Sequence, residues 1–234
     1  SPDWNRIKFT LDKDMSDAVN FSFKNLYDKG LIYKDKRLIN WDIKLQTAIS
    51  DLEVEQKEQS GIFVYLKYKI ENSKKFITVA TTRPETLFGD CCIAVSPLDK
   101  RYKKYIGKKV TIPLTNKLIP VIADEYVDME KGTGALKVTP AHDFNDYKLG
   151  KKHKLKYNII FDKKGKFNSN VPKKYKGLDR LKSREIIIEE LNSNKLIEKI
   201  ENIKHTVPYG DRSGIIIEPY LTDQWFLDVK ELAK

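Results

Sequence analysis

The chain has 234 residues, of which 33% are charged, and its 44 Lys and Arg against 33 Asp and Glu give a formal net charge of +11. This length allows one large domain or one domain with flanking arms. No apolar run approaches the roughly 18 to 20 residues of a membrane-spanning helix, so we expect a soluble protein. The charge favours a polyanionic partner, nucleic acid first, but lysines spread along the whole chain are equally typical of an ordinary surface.

Neither end of the sequence resembles a natural terminus. The chain opens on SPDW, without an initiator Met, a signal peptide or a transit peptide, and it stops at VKELAK within a periodic pattern. We therefore expect a fragment of a longer protein.

The first 60 residues predict a helix and then a hairpin. Apolar side chains recur at helical spacing over 14–29, at Val19, Phe23, Leu26 and Tyr27. Gly30 follows at a helix-stopping position. After it, LIYKDKRLINWD has two short apolar runs around a polar centre, which predicts a hairpin. We expect residues 1–60 to form an N-terminal connection.

Residues 61–204 predict a strand-rich domain. GIFVYLKYKI and KFITVATT flank the turn signal ENSKK, which predicts an antiparallel hairpin. Further short strands are predicted at CCIAV, KKVTIPL, KLIPVIA and ALKVT. Because the strands are short and closely spaced, with few long helices between them, we predict an α/β fold with a curved, barrel-like sheet and peripheral helices.

The C-terminal third predicts two helices and a linker. The helices are expected over 143–153 and 180–192, with Asp179 as the N-cap of the second. The buried face of that second helix is expected to consist of Leu181, Ile187, Ile188 and Leu191. From residue 205 the sequence is rich in Pro and Gly with aromatic residues at intervals. We therefore predict that residues 205–234 form a linker that leads back towards the rest of the parent protein.

Common catalytic and metal-binding signatures are absent from the sequence. It has no Gly-Lys-Ser/Thr phosphate loop, no Gly-x-Ser-x-Gly elbow and no His-Glu-x-x-His. Three histidines are too few and too scattered for a metal site, and we interpret His153 and His205 as structural. Cys91 and Cys92 lack partners at zinc-ligand spacing, so they predict core thiols in a reducing compartment, the cytoplasm.

The segment VATTRPETLFGD, residues 79–90, ends an apolar strand with a burst of hydrogen-bonding groups. Thr81 and Thr82 offer hydroxyls, Arg83 offers a fork of donors, and Pro84 forces the chain out of the strand. Taken alone, this pattern is also typical of a strand end that carries a solvated arginine.

The segment GTGALKVTPAHDFNDY, residues 132–147, repeats that arrangement. Its glycines allow close backbone approach, and Lys137 and Thr139 share one face of a strand. Asp143 and Asp146 then fall on one face of a helix start, where aspartate ordinarily caps the helix or complements its dipole. The same position favours the ionised carboxylate, so the pair suits a cationic ligand, such as an α-ammonium, better than general-base work.

Four segments together carry a family resemblance. TTRPET, GTGALKVTPAHDFNDY, NWDIKLQTAISDLEVE and HTVPYGDRSGIIIEPYLTDQWF resemble the valyl-tRNA synthetase family, in its inserted editing domain with the flanking connections. Lys137 with Asp143 favours the valyl family, because leucyl members usually have an apolar residue at the first position and isoleucyl members a glycine near the second. The signatures His-Ile-Gly-His and Lys-Met-Ser-Lys-Ser are absent, so aminoacylation, with its ATP and Mg, is expected only in the full-length parent.

The resemblance implies a hydrolase that removes threonine from mischarged tRNA(Val), with threonyl-adenylate as a second candidate substrate. A pocket for valine rejects threonine only roughly a hundredfold, and valyl enzymes are themselves the usual worked example of this limit. The implied catalytic residues are Thr81, Thr82, Arg83 and Asp146, and the implied substrate-binding residues are Lys137, Thr139, His142 and Asp143.

In this scheme Asp146 holds the substrate α-ammonium, while Lys137, Thr139 and Asp143 read the threonine side chain. Arg83 and the two threonines before it place the terminal adenosine, its ester and the attacking water. No metal, no cofactor and no Ser or Cys nucleophile is implied for this fragment. The expected partner is the acceptor end of tRNA(Val), bound by a monomer.

Two alternatives stay open: a non-catalytic tRNA-binding module with the same fold, and a leucyl-type editing domain. One departure from the family pattern also bears on the pocket. Many valyl members have an aromatic residue just before the Gly-Thr-Gly turn, where this chain has Lys131. If that ring walls the pocket in the family, stacking on the substrate is weaker here or comes from elsewhere.

Overall fold

The computed structural model describes residues 3–233. It divides into two compact units, one combining the residues up to Arg37 with those from Thr222 onward and the other comprising Leu38–Leu221. The α-helices are α1 Lys13–Asp28, α2 Phe144–Lys152 and α3 Lys182–Ser193. The strands are β1 Ile32–Asp42, β2 Thr47–Ile49, β3 Val54–Ile70, β4 Phe76–Thr81, β5 Cys92–Val95, β6 Lys109–Thr111, β7 Leu118–Ala123, β8 Ala135–Val138, β9 Ile197–Gly210 and β10 Glu218–Leu227.

A strongly curved sheet dominates the larger unit. Its strands follow the order β4-β3-β6-β7-β5-β8, and β9 pairs with the N-terminal part of β3. The β5–β7 pair is parallel, whereas the other ladders are antiparallel. The two end strands, β4 and β8, lie next to each other without a ladder among the described residues, so the sheet nearly closes into a barrel. The prediction of an α/β fold with a barrel-like sheet and peripheral helices is confirmed.

Apolar side chains at alternate positions of β3 and β4 fill the inside of this sheet. These buried residues are Val64, Leu66, Tyr68, Ile70, Ile77 and Val79. Helix α3 adds Ile187 and Leu191 to the same core and lies against a 3-10 turn at Pro84–Gly89. Helix α3 therefore packs against the segment that follows β4.

Several predicted elements are confirmed. The β3–β4 hairpin has the expected antiparallel register, with Val64 opposite Thr81 and Lys69 opposite Phe76. Helix α2 begins directly after Asp143, whose side chain caps it. Asp179 likewise accepts hydrogen bonds from the first N–H groups of α3. Local signals were sufficient here because caps and turns act over only a few residues.

The hairpin predicted within LIYKDKRLINWD is wrong, because those residues belong to the single strand β1. Asp35 tolerates a positive φ, but the Lys36 that follows it is poorly suited to the second positive φ of a tight type I′ turn. The chain turns later instead, where Asp42 Oδ1 accepts the N–H groups of Lys44 and Leu45 and Gln46 has a φ of 52°. Strand β2 then pairs with the C-terminal end of β1.

One predicted buried position is also wrong. Leu181 is 38% exposed, since it precedes the first helical residue of α3, whereas Ile187 and Leu191 are fully buried.

In α1 no residue is buried, and Val19, Phe23 and Tyr27 are exposed. Phe23 and Tyr27 each make an edge contact with the Trp225 ring.

The predicted segments 1–60, 61–204 and 205–234 do not coincide with the two compact units. Strand β3 runs unbroken across the first of these bounds and β9 across the second, because the two strands pair over most of their length. The expected linker from residue 205 contains the end of β9 and all of β10. The functional division of the chain at these bounds stays a prediction.

We expect Gly134→Ala to destabilise the protein more than Gly107→Ala. Both glycines have a positive φ, so each alanine carries a left-handed strain of about 1 to 2 kcal/mol. A Cβ on Gly134 would also overlap Arg101 Nη2 and lie 2.9 Å from the Met129 carbonyl oxygen, whereas Gly107 has open space. Urea unfolding should show an additional loss of about 1 to 3 kcal/mol for Gly134→Ala. Equal losses for the two variants would contradict this packing argument.

Candidate active site

A cavity of about 540 Å³ opens in the larger unit where β4 and β8 end. Its lining contains all eight residues predicted for the site: Thr81, Thr82, Arg83, Lys137, Thr139, His142, Asp143 and Asp146. Those from the first segment follow β4, and those from the second belong to β8, the turn after it and the start of α2. Because β4 and β8 lie side by side, two segments about 50 residues apart meet at one opening.

Lys137 is the centre of a buried hydrogen-bond network on the cavity floor. Its Nζ donates to Thr86 Oγ1 at 2.8 Å, to Asp90 Oδ1 at 2.9 Å and to Thr139 Oγ1 at 2.7 Å. Asp90 also accepts from the hydroxyls of Thr139 at 2.6 Å and Tyr68 at 2.5 Å. An ammonium has three hydrogens, so Lys137 has none left for a ligand. It pairs with the buried carboxylate of Asp90 and fixes two threonine hydroxyls.

Both of these threonines line the cavity, and the protein itself uses both of their hydroxyl hydrogens. The Thr86 hydroxyl donates to the Arg83 carbonyl at 2.9 Å, and the Thr139 hydroxyl donates to Asp90. Each also accepts one hydrogen bond from Lys137, which leaves one lone pair per oxygen. The floor can therefore accept a hydrogen from a ligand but has no hydroxyl hydrogen to offer it.

Asp146 adds a carboxylate to the same cavity. Its Oδ2 accepts the Thr139 N–H at 2.7 Å, while Oδ1 has no hydrogen-bond partner among the described residues. The residue is only 7% exposed. Burial, with the neighbouring charge of Asp143 as a second cause, raises the pKa of Asp146 to about 7. We expected the helix N-terminus to favour the ionised carboxylate, but burial acts in the opposite direction and has the larger effect.

Asp143 and Asp146 were expected on one face of the start of α2, but their side chains have different surroundings in the site. As the N-cap of α2 it accepts the N–H groups of Asn145 at 2.8 Å and Asp146 at 2.9 Å through Oδ1. It is exposed at the cavity rim. Its Oδ2 has no partner among the described residues and is the part of the side chain that a ligand can reach.

Arg83 is held mainly by protein groups. Its guanidinium makes four hydrogen bonds, two to the carboxylate of Glu218, one to Glu85 and one to the His142 carbonyl. Both bonds to Glu218 come from Nη2, so at least one of the five N–H groups of the guanidinium remains for a ligand. Arg180 also contacts Glu218 at 2.7 Å, and Arg184 contacts Glu85 at 2.9 Å. A buried ionic network therefore orients the turn after β4.

His142 is part of that network and lies in the core. Its Nε2 accepts the Ile160 N–H at 3.1 Å, so the proton is on Nδ1, which donates to Glu218 Oε1 at 3.3 Å. Burial lowers the pKa of His142, which favours the neutral ring. Both ring nitrogens have partners, and the ring edge packs on Phe161. His142 lines the cavity without offering a free nitrogen.

The two threonines after β4 differ in availability. Thr81 is buried, and its hydroxyl accepts the Arg83 N–H at 3.0 Å, which shapes the turn. Thr82 is half-buried, and its hydroxyl has no partner within residues 3–233. Of this pair, Thr82 is the one that can contact a ligand or a water.

Sequence reasoning missed the partners of the predicted residues, chiefly Thr86, Asp90 and Glu218. A signal was nevertheless present, because Asp90, Lys137 and Glu218 are single charges beside the apolar runs CCIAV, ALKVT and GIIIEPY. A charge buried in such a run needs a counter-charge, and pairing the lone charges would have suggested Asp90 with Lys137.

A second cavity, of about 590 Å³, adjoins the first and shares Thr82, Arg83, His142 and Asp143 with it.

Over the described part of the chain, no group of three or more His, Cys, Asp and Glu is placed to hold a metal. Cys92 is buried and Cys91 partly buried, and burial raises the pKa of the Cys91 thiol to about 12. Residues 3–233 contain no helix with the length and apolarity that crossing a membrane requires.

Comparison with known proteins gives consistent results. A family described as tRNA synthetases class I (I, L, M and V) matches residues 1–234. The valine–tRNA ligase of Pelagibacter ubique is 56% identical over 233 residues, covering 100% of this chain and 27% of that protein. The ligase of Legionella pneumophila (strain Lens) is 52% identical over 234 residues, covering 100% of this chain and 25% of that protein. The chain thus spans about a quarter of the length of these relatives.

Among solved structures, a match is the LeuRS of Agrobacterium radiobacter K84 in a ternary complex with tRNA and LeuAMS. It has a TM-score of 0.48 and 19% identity, and it covers 84% of this chain and 33% of that chain.

Proposed function

Because the chain belongs to the class I tRNA synthetase family, we propose that it is the editing part of a valyl-tRNA synthetase. In this proposal it hydrolyses threonyl-tRNA(Val), with threonyl-adenylate as a second candidate substrate, in the cytoplasm. Its similarity to valine–tRNA ligases supports the valyl assignment. The observation that carries the chemistry is the free Oδ1 of Asp146 beside two hydroxyls that can only accept.

The threonyl group is recognised by hydrogens that it donates. Its α-ammonium binds Asp146 Oδ1, and its side-chain hydroxyl donates to the free lone pair of Thr86 or Thr139. A valyl group would place a methyl against the same oxygen and leave a desolvated acceptor unpaired, at a cost of about 1 to 3 kcal/mol. The cavity would therefore select the substrate that the synthetic site of a valyl enzyme rejects poorly.

Hydrolysis needs a water positioned against an ester that is already activated. The free hydroxyl of Thr82 orients this water, and the remaining N–H of Arg83 donates to the ester or to the terminal ribose. Water adds to the acyl carbon, the bond to the ribose oxygen breaks, and a proton passes from the water to that oxygen. Positioning and charge stabilisation of this kind supply much of the rate in comparable acyl transfers.

In this proposal the terminal nucleoside binds in the adjoining cavity. It meets the first cavity at Thr82 and Arg83, where the ester linkage would lie, and Phe144 and Gln56 line its wall. An exposed aromatic ring and an amide are the groups that stack on and hydrogen-bond to a base. The acceptor end of tRNA(Val) would thus occupy both cavities of a monomer.

The proposal is tested by comparing threonyl-tRNA(Val) with valyl-tRNA(Val) as substrates of the purified chain. We expect the threonyl ester to be hydrolysed roughly 10- to 100-fold faster, since one unpaired acceptor accounts for about 1 to 3 kcal/mol. The same comparison with threonyl- and valyl-adenosine esters removes the contribution of tRNA affinity. Background rates for both amino acids, with tRNA still bound, would instead support the non-catalytic binding module, and preference for a norvalyl ester would support the leucyl type.

A further inference from the structure

A cluster of unpaired positive charge in the larger unit lies outside both cavities, in the segment DKRYKKYIGKK. This basic segment, residues 99–109, follows β5 and ends in β6. Its lysines are all exposed and have no ion-pair partner among the described residues: Lys100, Lys103, Lys104, Lys108 and Lys109. Its one acid, Asp99, is buried and bound to Arg101. Nothing within the segment neutralises the five lysines.

Part of this charge is gathered around one aromatic ring. Lys104 Nζ lies 5.2 Å and Lys108 Nζ 5.8 Å from the ring centroid of Tyr105. Like charges held near one another repel, and the ring attracts a cation only weakly at an exposed position. An anion between the two ammonium groups would relieve this repulsion, so the arrangement favours a ligand that carries negative charge.

The basic segment is fixed to the wall of the candidate active site. Arg101 Nη2 donates to the Met129 carbonyl at 2.8 Å, and the Tyr102 hydroxyl donates to the Thr133 carbonyl at 2.9 Å. Thr133 and its neighbour Lys131 line the cavity that contains Asp146. Lys131 is exposed as well, so positive charge extends from the rim of the cavity to the basic segment.

We propose that the basic segment binds the phosphate backbone of the RNA whose 3′ end enters the cavity. This inference rests on the proposed function, because that function supplies an RNA end at the rim. Lysines on flexible stems bind phosphates as point charges and do not read bases, so the contact is independent of sequence and sensitive to salt. It lowers KM for a tRNA substrate and leaves the chemical step unchanged.

The test compares the unaltered chain with the triple variant K103Q/K104Q/K108Q and with a matched control, K164Q/K173Q/K176Q. The control removes the same charge from three exposed lysines, which also have no ion-pair partner within the described range, in another part of the larger unit. The ligand is an RNA hairpin that carries the tRNA(Val) acceptor stem and its single-stranded end, without an attached amino acid. Its binding is followed by fluorescence anisotropy between about 50 and 200 mM salt.

We expect the triple variant to lower the slope of log K against log salt by roughly 2, since each lost phosphate contact removes about 0.7 to 0.9. Affinity at the lowest salt should fall roughly tenfold or more, and the control should keep the slope of the unaltered chain. Equal slopes for the two variants would overturn the proposal, as would an unaltered chain that binds no RNA. Anionic vesicles bound with the same lysine dependence would assign the surface to lipid and overturn it too.

Hydrolysis of threonyl-adenosine separates this proposal from the proposed function. That ester lacks the phosphate backbone, so both triple variants should hydrolyse it at the rate of the unaltered chain. If the unaltered chain does not hydrolyse it, the proposed function fails, while the salt slopes still decide whether the basic segment binds RNA. Equal melting temperatures of the two variants exclude unfolding as the cause of a lost slope.

Discussion

Asp146→Asn is expected to lower kcat/KM for threonyl-ester hydrolysis by about 10- to 100-fold. An amide is the same size as the carboxylate and still accepts the Thr139 N–H, so the start of α2 is preserved. What is lost is the negative charge that faces the substrate ammonium, and a hydrogen bond to a charged group contributes about 1.5 to 3 kcal/mol. The measurement is steady-state hydrolysis of threonyl-adenosine, in which tRNA affinity plays no part.

Stability measurements give the control for this variant. Because the folded-state pKa of Asp146 is about 7 and lies above the ordinary 3.8, the native state takes up a proton more readily than the unfolded chain. The ionised carboxylate therefore destabilises the protein progressively as pH rises from about 4 through 7. Asparagine removes that effect, so the variant should be at least as stable as the unaltered chain at pH 8. A less stable variant would leave the lost activity without this explanation.

The same pKa gives the reaction a defined pH dependence. If only the ionised carboxylate binds the ammonium, kcat/KM of the unaltered chain rises with pH through about 7, since this ratio reports the free enzyme. It falls again at higher pH as the α-ammonium of the substrate loses its proton. The residual activity of Asp146→Asn should keep only the second limb. A rising limb that survives in the variant would assign the titration to another group.

Glu218→Ala is expected to have the largest effect on stability, about 3 to 5 kcal/mol. The substitution leaves Arg83 and Arg180 without their shared carboxylate and removes the acceptor of the His142 Nδ1–H. Glu218 is fully buried, and removing one partner of a buried ion pair leaves an uncompensated charge. Urea unfolding of the variant and the unaltered chain measures the difference in free energy.

Two further substitutions sharpen that experiment. Glu198→Ala removes an exposed carboxylate that accepts one hydrogen bond from Thr78 at 2.6 Å, and it should cost less than about 1 kcal/mol. Glu218→Gln keeps the size and one acceptor oxygen, so its loss should lie between the two. A loss for Glu218→Ala no greater than that for Glu198→Ala would show that the buried network does not hold the turn after β4.

The sequence was most informative where a structure is determined by neighbouring residues. ENSKK predicted the β3–β4 turn, and Asp143 marked the start of α2, because a turn and a cap act within a few residues. The later turn after β1 depends on the Asp42 side chain reaching two N–H groups ahead of it, a contact that composition does not reveal. The apolar side of α1 could be recognised, but no local pattern states whether such a face is covered.

The features of the candidate site could likewise be predicted only in part from the sequence. Alternation along the predicted strand placed Lys137 and Thr139 on one face, and the family resemblance assigned both motifs to one site. The direction of their hydrogen bonds could not be predicted, because Asp90 and Thr86 come from a segment about 50 residues away. The titration of Asp146 also depends on how deeply the carboxylate is buried, which is a property of the whole barrel.

The saturation of Lys137 fixes more than the positions of its neighbours. With the three ammonium hydrogens committed, the Thr86 and Thr139 hydroxyls donate their own hydrogens to a carbonyl and a carboxylate. Both oxygens then present the same polarity to whatever enters. In the proposed reaction, these two oxygens recognise the substrate side chain by the hydroxyl hydrogen that the side chain donates, and not by its oxygen atom. In that proposed reaction, valine would be rejected because it has nearly the same shape as threonine but no hydroxyl proton to donate.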